Sequence, residues 1–551
     1  MFPPAIGLFL LSVCAAASSG PSGPAGGAEI GGKISGEVRL SGRVRVAEDI
    51  LVLPGSTLSL VPGTVLEFAK TESTKVDPEY FFGGTELVVR GTLRAEGALL
   101  SFRDRTGGVV VDGGRAELRD TVVAGAEAGL TVLGGATVRI EGAVDVRDCR
   151  TGVAIFPGKA YPWEGGGRLS ASGNAVGFVR FPGAPAAPPG FRAGRSEEAD
   201  AISWDGGKEA RPAPPASPAP SAAATRLPDT FLEADRTLEG DVIVDGIVRV
   251  APGATLTLLP GTRLFFTFRD TDGDGIGENG LFLQGNLRAE GTAERPIGFH
   301  PADADARPGR WDSVNFMASD RGENILSHVG IHGAYRGLHA HFSRLKGSDV
   351  RISRAFRGVQ FQESEVYLSG IRVSSSSSAI RCRDSDVRIE DFRVEDTVSG
   401  GNFFRSAVTL RDAETDGTGW YGFRFRDSRV TFSGGRVSSA LTGVSVQEGD
   451  ARLDGVRIAG TGLAGAAVQD GDVKISGCHV TGGFLDGLSA AKGSVSVDGG
   501  EIAGFGRHAV KLSGPAEVTL RGVSMPPKGG GGAALFLDGK SVPGLGVVRV
   551  E

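Results

Sequence analysis

The sequence predicts an all-β parallel solenoid. Three observations carry this. A phrase of about 21 residues repeats through the second half of the chain. Each copy alternates apolar and polar residues with a period of two, the mark of short half-buried strands. Glycine supplies 87 of the 551 residues against 5 tyrosines and 3 methionines, a bias that suits tight corners between strands. The phrase runs Gly-apolar-x-apolar, Ser/Gly-Asp-Val-x-Ile, x-Arg-Val. It starts at Gly337, Gly358, Ala379, Gly400, Gly422, Gly443, Gly465 and Gly487, so the spacings are 21, 21, 21, 22, 21, 22 and 22. A ninth copy begins near Ala509.

The copy at Ala379 shows what one repeat makes. Ile380 and Cys382 alternate with Arg381 and Arg383; Val387 and Ile389 alternate with Asp386 and Arg388; Phe392 and Val394 flank Arg393. Asp-Ser and Glu-Asp pairs between these runs mark turns. Three strands this short cannot bury an apolar face alone. Stacked copies can, with each strand pairing to its equivalent one copy later, about 4.8 Å away. Val387, Val408, Val430, Ala451, Val473 and Val495 are then expected in one inward file. A period near 22 with three strands per turn resembles the right-handed parallel β-helix family. Leucine-rich repeats have a similar period, but their Leu-x-x-Leu-x-Leu phrase and asparagine ladder are missing.

Taken in order, residues 1–17 read as a signal peptide: residues 2–13 are apolar, and Ala15, Ala16 and Ala17 offer a small-residue cleavage site. Leu11-Ser12-Val13-Cys14 resembles a bacterial lipobox, so lipid attachment at Cys14 and plain secretion are both open. Residues 18–32 are rich in Gly, Ser and Pro and are expected to be flexible. A β-helix module is expected over 33–181, a Pro/Ala-rich linker over 182–229 and a longer β-helix domain over 230–551. The two modules open alike. Leu53-Pro54-Gly55-Ser56-Thr57-Leu58 returns as Ala251-Pro252-Gly253-Ala254-Thr255-Leu256, and Gly91-Thr92-Leu93-Arg94-Ala95-Glu96-Gly97 returns as Gly285-Asn286-Leu287-Arg288-Ala289-Glu290-Gly291. The stretch 212–220, Pro-Ala-Pro-Pro-Ala-Ser-Pro-Ala-Pro, cannot build a core. The Gly529–Gly532 run is expected to end the stacking, with 533–551 capping the open edge.

These opening phrases, and Arg310-Trp311-Asp312-Ser313-Val314-Asn315-Phe316 followed by His328-Val329-Gly330-Ile331, resemble bacterial envelope proteins of the right-handed parallel β-helix class, the pectin-lyase-like superfamily. The resemblance covers most of 34–180 and 236–525. It implies the fold. It leaves function open, because that superfamily holds lyases, hydrolases and adhesins.

A net charge of −6 argues against a nucleic-acid or anionic-membrane partner. No stretch after the leader has the length and composition of a membrane helix. Cys149, Cys382 and Cys478 have no metal spacing and read as small buried hydrophobes.

Four features are candidates for chemistry. Asp270, Asp272, Asp274 and Glu278, with the Ile276 carbonyl, have the alternation of hard oxygen ligands that wraps Ca²⁺. The twelfth-position acid of an EF-hand is replaced by Leu281, so the loop resembles the shorter calcium loops of dockerin and thrombospondin repeats; a structural Ca²⁺ is expected, against a plain Asp/Gly turn. Second, stacking places Arg351, Arg372, Arg393, Glu414, Arg436, Arg457, His479 and Glu501 in one outward file. His339/His341, Gln360/Gln362, Arg381/Arg383, Asn402/Phe404, Arg424/Arg426, Gln447 and Gln469 form another. Cations about 4.8 Å apart repel by roughly 1 kcal/mol even in water. They recruit either an anionic glycan or neighbouring acids, and pairing with acids such as Asp349 and Asp391 is the plainer outcome. Third, Trp420 and Tyr421, beside Phe403 and Phe404, form an aromatic pair that either stacks on a sugar ring, if exposed, or covers a loop. Fourth, His328 and His332 lie about 13 Å apart along a strand and cannot share an ion, whereas His339 and His341 can with help from the next turn. No catalytic motif is present. The favoured reading is an exported, non-enzymatic protein that binds a glycan or a surface protein along the solenoid. The alternatives are a polysaccharide lyase or glycoside hydrolase with a cleft at Arg381, Arg383, Arg424 and Arg426, and a structural spacer.

Overall fold

The computed structural model describes residues 28–69, 81–158, 161–204, 217–304, 307–319, 321–526, 535–537 and 547–550. The expected signal peptide, Cys14 and residues 70–80 lie outside them. The chain is a parallel β-solenoid of about 21 turns. Its strands form two stacks. The first contains a 14-stranded and a 6-stranded sheet and ends at Ala199–Ser203; the second is a 31-stranded sheet that starts at Thr225–Leu232.

Each turn of the second stack has three faces. The copy at Gly358 shows them: Arg357–Gln362 makes the first face, and Glu365–Ser374 makes the second and third. The register follows the repeat. Val387, Val408, Val430, Ala451, Val473 and Val495 pair in succession, and all are buried. The free cysteines Cys149, Cys382 and Cys478 are buried too.

One residue makes the bend between the second and third faces, and it takes a left-handed conformation. Asp349, Asp391 and Asp412 have φ of 46°, 50° and 50°, and Gly370 and Gly434 hold the same place with φ of 66° and 67°. Aspartate and glycine are the residues that enter this region most cheaply, which explains the recurring Asp or Gly before each x-Arg-Val. His328 occupies the same corner with φ 49°, an unusual choice there.

Three expected boundaries move. Strand structure begins at Ala28–Ile34, inside the stretch expected to be flexible, because it pairs with Arg43–Val52. Within 182–229, Arg192–Ala193, Ala199–Ser203 and Thr225–Leu232 all join ladders. After the glycine run, Leu535–Leu537 and Val547–Val550 extend the ladders by another rung.

The two stacks lie side by side. Leu51, Val88, Val110, Thr131, Ala154, Val179 and Ile202 form one outward column of the first stack. They pack with Phe81, Phe82, Phe156, Phe181 and Trp204 against Tyr335, Phe356, Trp420, Leu441 and Leu485 of the second stack. This seam is a third apolar core, separate from the interiors of the stacks.

Candidate functional site

The third face of the second stack carries the expected outward file in register: Arg351, Arg372, Arg393, Glu414, Arg436, Arg457, His479 and Glu501. Its upper arginines are paired with the corner acids. Asp349 lies 3.1 Å from Arg351 and 3.5 Å from Arg372; Asp391 lies 2.9 Å from Arg393, which also meets Glu414 at 2.9 Å. Arg436 and Arg457 are exposed and have no carboxylate partner among the described residues.

Above Arg351 the same column continues upward through Gly330 and Gly298 to Arg263. Two consecutive rungs therefore lack an outward side chain, and a notch opens between the guanidinium groups of Arg263 and Arg351. The notch widens into a groove of about 800 Å³ that reaches Arg372 and Arg393. His300 and His332 wall it, with rings stacked at 5.0 Å and 11°. They lean across the glycines: a Cβ at Gly298 would collide with the His300 Nε2, and one at Gly330 would sit 3.3 Å from the His332 Nε2. Burial pushes His300 down to about 3, and it pushes His332 below the ordinary imidazole value. Both rings are neutral near pH 7 and offer one donor and one acceptor each. His332 Nδ1 is 2.7 Å from the Ser353 hydroxyl, and His328 Nδ1 is 2.8 Å from Asp349.

The other outward file has a different fate. His339, Gln360, Arg381, Asn402 and Arg424 pair in succession on the first face, but all five are buried. The register then runs from Arg426 to Gln447 and, through a bulge, to Asp470 rather than Gln469. Arg381 and Arg424 are therefore not walls of an open cleft, while Arg383 and Arg426 are partly exposed at its edge. Arg424 meets Glu127 of the first stack at 3.3 Å and donates to Gln447 at 3.0 Å. Trp420 and Tyr421 do not form an exposed platform either. Trp420 is 6% exposed and stands among Phe82, Phe156 and Phe181 of the first stack, with ring centroids 5.2, 5.8 and 5.3 Å away. The Tyr421 hydroxyl is 3.3 Å from Glu127, and burial raises its phenol above the ordinary value. Phe403 is core, and Phe404 receives Arg405 and Arg426 on its ring at 4.5 and 4.9 Å. His339 is buried, and His341 pairs with Glu363 at 2.8 Å.

In the acidic loop, carboxylate oxygens of Asp270, Asp272 and Glu278 lie within 4.8 Å of one another. Asp270 accepts the N–H groups of Gly273, Asp274 and Gly275. Asp274 turns away: it accepts the Ile276 N–H and, together with Asp272, holds the Lys33 ammonium of the first stack at 2.6 and 2.7 Å. Burial opposes the charge on Lys33, yet the two carboxylates raise it above its ordinary value. Three of the four expected carboxylates thus converge, and two of the four also serve an ammonium that latches the stacks.

Sequence reasoning missed the notch and the seam. The notch had a signal in Gly298 and Gly330, which break a column of arginines. The seam had one in the unalternating runs Leu87-Val88-Val89 and Val109-Val110-Val111, which need cover on both sides.

No protein-family model and no curated protein matches the chain. Solved structures do. One is the catalytic unit of a thermostable GH87 alpha-1,3-glucanase from Streptomyces thermodiastaticus, at 15% identity over 61% of this chain and 66% of that one, TM-score 0.30. The match thus spans just under two thirds of the glucanase unit. Another is the periplasmic alginate epimerase AlgG, at 11% identity over 74% and 78%, TM-score 0.22. A double mutant of that epimerase matches at 12% over 85% and 84%, TM-score 0.26. Among the described residues no helix is long and apolar enough to cross a membrane.

Proposed function

We propose that the protein is an exported β-helix protein that binds a glycan along the third face of its second stack, with one sugar unit seated between Arg263 and Arg351 against the His300 and His332 rings that lean over Gly298 and Gly330. The observation that carries this reading is the notch itself: two rungs without side chains, bounded by Arg263 and Arg351 and walled by two neutral imidazoles. Paired arginines and aspartates with neutral histidines present donors and acceptors at fixed spacing, which suits a hydroxyl-rich chain better than a bare polyanion. The acidic loop is proposed to hold a structural Ca²⁺, which its three converging carboxylates support.

Retention on immobilised polysaccharides, acidic and neutral, tests the reading. Gly330→Val should abolish retention by filling the notch while leaving the circular dichroism spectrum intact. Undiminished retention of a folded Gly330→Val protein would sink it.

One observation favours an enzyme acting on an acidic polysaccharide as a second reading. His328 sits in a left-handed corner with one ring nitrogen held by Asp349, the arrangement that orients an imidazole for proton transfer. Backbone strain of this kind gathers at functional sites. New reducing ends or unsaturated products that vanish in His328→Ala would establish it.

A further inference from the structure

The first face changes character half-way down the second stack. Above, its outward column is filled by Gln360, Arg381, Asn402 and Arg424. Below Arg424 the register places Ser445, Ala467 and Ser489, and then Lys511. Three small residues in succession leave a slot about 19 Å long between two cations, at about 4.8 Å per rung. The first stack roofs it, and the enclosed space is about 430 Å³.

The charges around this slot nearly cancel. Glu127 meets Arg424; Glu198 holds both Arg507 and Lys511; Asp486 holds Arg507 and lies 2.9 Å from His508 Nδ1. Four cations (Arg150, Arg424, Arg507, Lys511) minus three carboxylates (Glu127, Glu198, Asp486) leaves one positive charge. The unmatched group is Arg150, which lines the slot from the first stack. It has no ion-pair partner among the described residues, and its Nε is buried without an acceptor. Its charge acts on the Tyr421 phenol across the seam. The Trp420 indole N–H, also lining the slot, is buried without an acceptor. Buried donors without acceptors are uncommon in folded proteins and call for an explanation.

We infer that the inter-stack slot is a second binding site, built from both stacks, for a ligand that carries a carboxylate on a ring-sized polar body, such as a sugar acid. The carboxylate meets Arg150, and the ring lies over Ser445, Ala467 and Ser489 against Trp420. Nothing in this site is shared with the groove on the third face, so either can fail without the other.

Calorimetry on the full protein tests it with three probes: D-glucuronate, D-glucose and a linear tri-uronide. D-glucuronate should bind saturably and D-glucose at least tenfold more weakly, since a charge-assisted contact contributes roughly ten- to hundredfold in affinity. Tri-uronide binding tenfold tighter than the monomer would place a polymer chain end in the slot; equal binding would mark a free sugar acid as the ligand. Arg150→Gln should erase the preference for the acid. Ala467→Leu, which fills the floor without touching a charge, should abolish the preference for D-glucuronate over D-glucose, whether or not the third-face groove binds either sugar. The inference is overturned if no probe binds, if Arg150→Gln keeps the preference, or if a folded Ala467→Leu protein keeps it.

Discussion

Removing Glu127 should loosen the two stacks from each other. Its carboxylate lies 3.3 Å from the Arg424 guanidinium, and both side chains are only 9% exposed. At that distance the attraction is about 5 kcal/mol for an effective dielectric constant of about 20. Most of it is offset by the water both groups have lost, so the pair adds little net stability. Losing one partner is different, because the other charge stays under the seam. Glu127→Ala and Arg424→Met should each cost about 3 kcal/mol, and the double variant should cost no more than the worse single, a coupling of about 3 kcal/mol. Urea unfolding followed by tryptophan emission reads this directly. Trp204 and Trp420 lie in the seam, whereas Trp163 and Trp311 lie inside the stacks. The singles should show an early transition from seam tryptophans alone. Costs that add to within about 0.5 kcal/mol would refute the reasoning.

Three further expectations follow from the same contacts. His300 is held near 3 by burial and His332 and His339 are also lowered; imidazoles depressed in the folded state stabilise it above pH 6.5, and that stability drains as pH falls from 6.5 towards 3, by up to about 1.4 kcal/mol per pH unit for each ring. Acid titration of the melting temperature should show it, and His300→Gln should flatten the profile; an unchanged slope would contradict the assignment. If Ca²⁺ occupies the acidic loop, chelation should lower the melting temperature, Asp272→Ala should remove the effect, and Lys33→Ala should enlarge it by freeing two carboxylates; a melt indifferent to chelator in all three proteins rules the ion out. Asp391 bends the chain with φ 50°, so Asp391→Val should cost about 1–2 kcal/mol in chemical denaturation while Asp391→Gly is nearly neutral; equal stability of the two would show that the corner is not strained.

The solenoid was legible because its signal is local and repeated. A valine every 21 or 22 residues can only mean a file once strands stack, and the register from Val387 to Val495 has that form. The third-face arginines were legible for the same reason. The first face was harder to read because its surroundings lie elsewhere in the chain: Arg381 and Arg424 alternate outward like any solvent-facing residue, and the acid that meets Arg424 is Glu127 of the first stack, 297 residues earlier (424 minus 127). Trp420 was legible only as a departure from the repeat, which marks a contact without saying whether the contact is ligand or protein; Phe82, Phe156 and Phe181 stand against it. The notch at Gly298 and Gly330 lies above the regular copies, where alignment of rungs cannot be read from a fixed period.

Lys33 with Asp274 at one end and Glu198 with Lys511 at the other tie the stacks together along most of their length. An ordinary coil-upon-coil protein grows or shrinks by whole coils with little penalty. Here a gained or lost coil in one stack would slide every lower tie past its mate by about 4.8 Å. The two halves therefore act as a vernier: their coil numbers are bound to each other, and insertions should persist only in loops that point away from the shared flank.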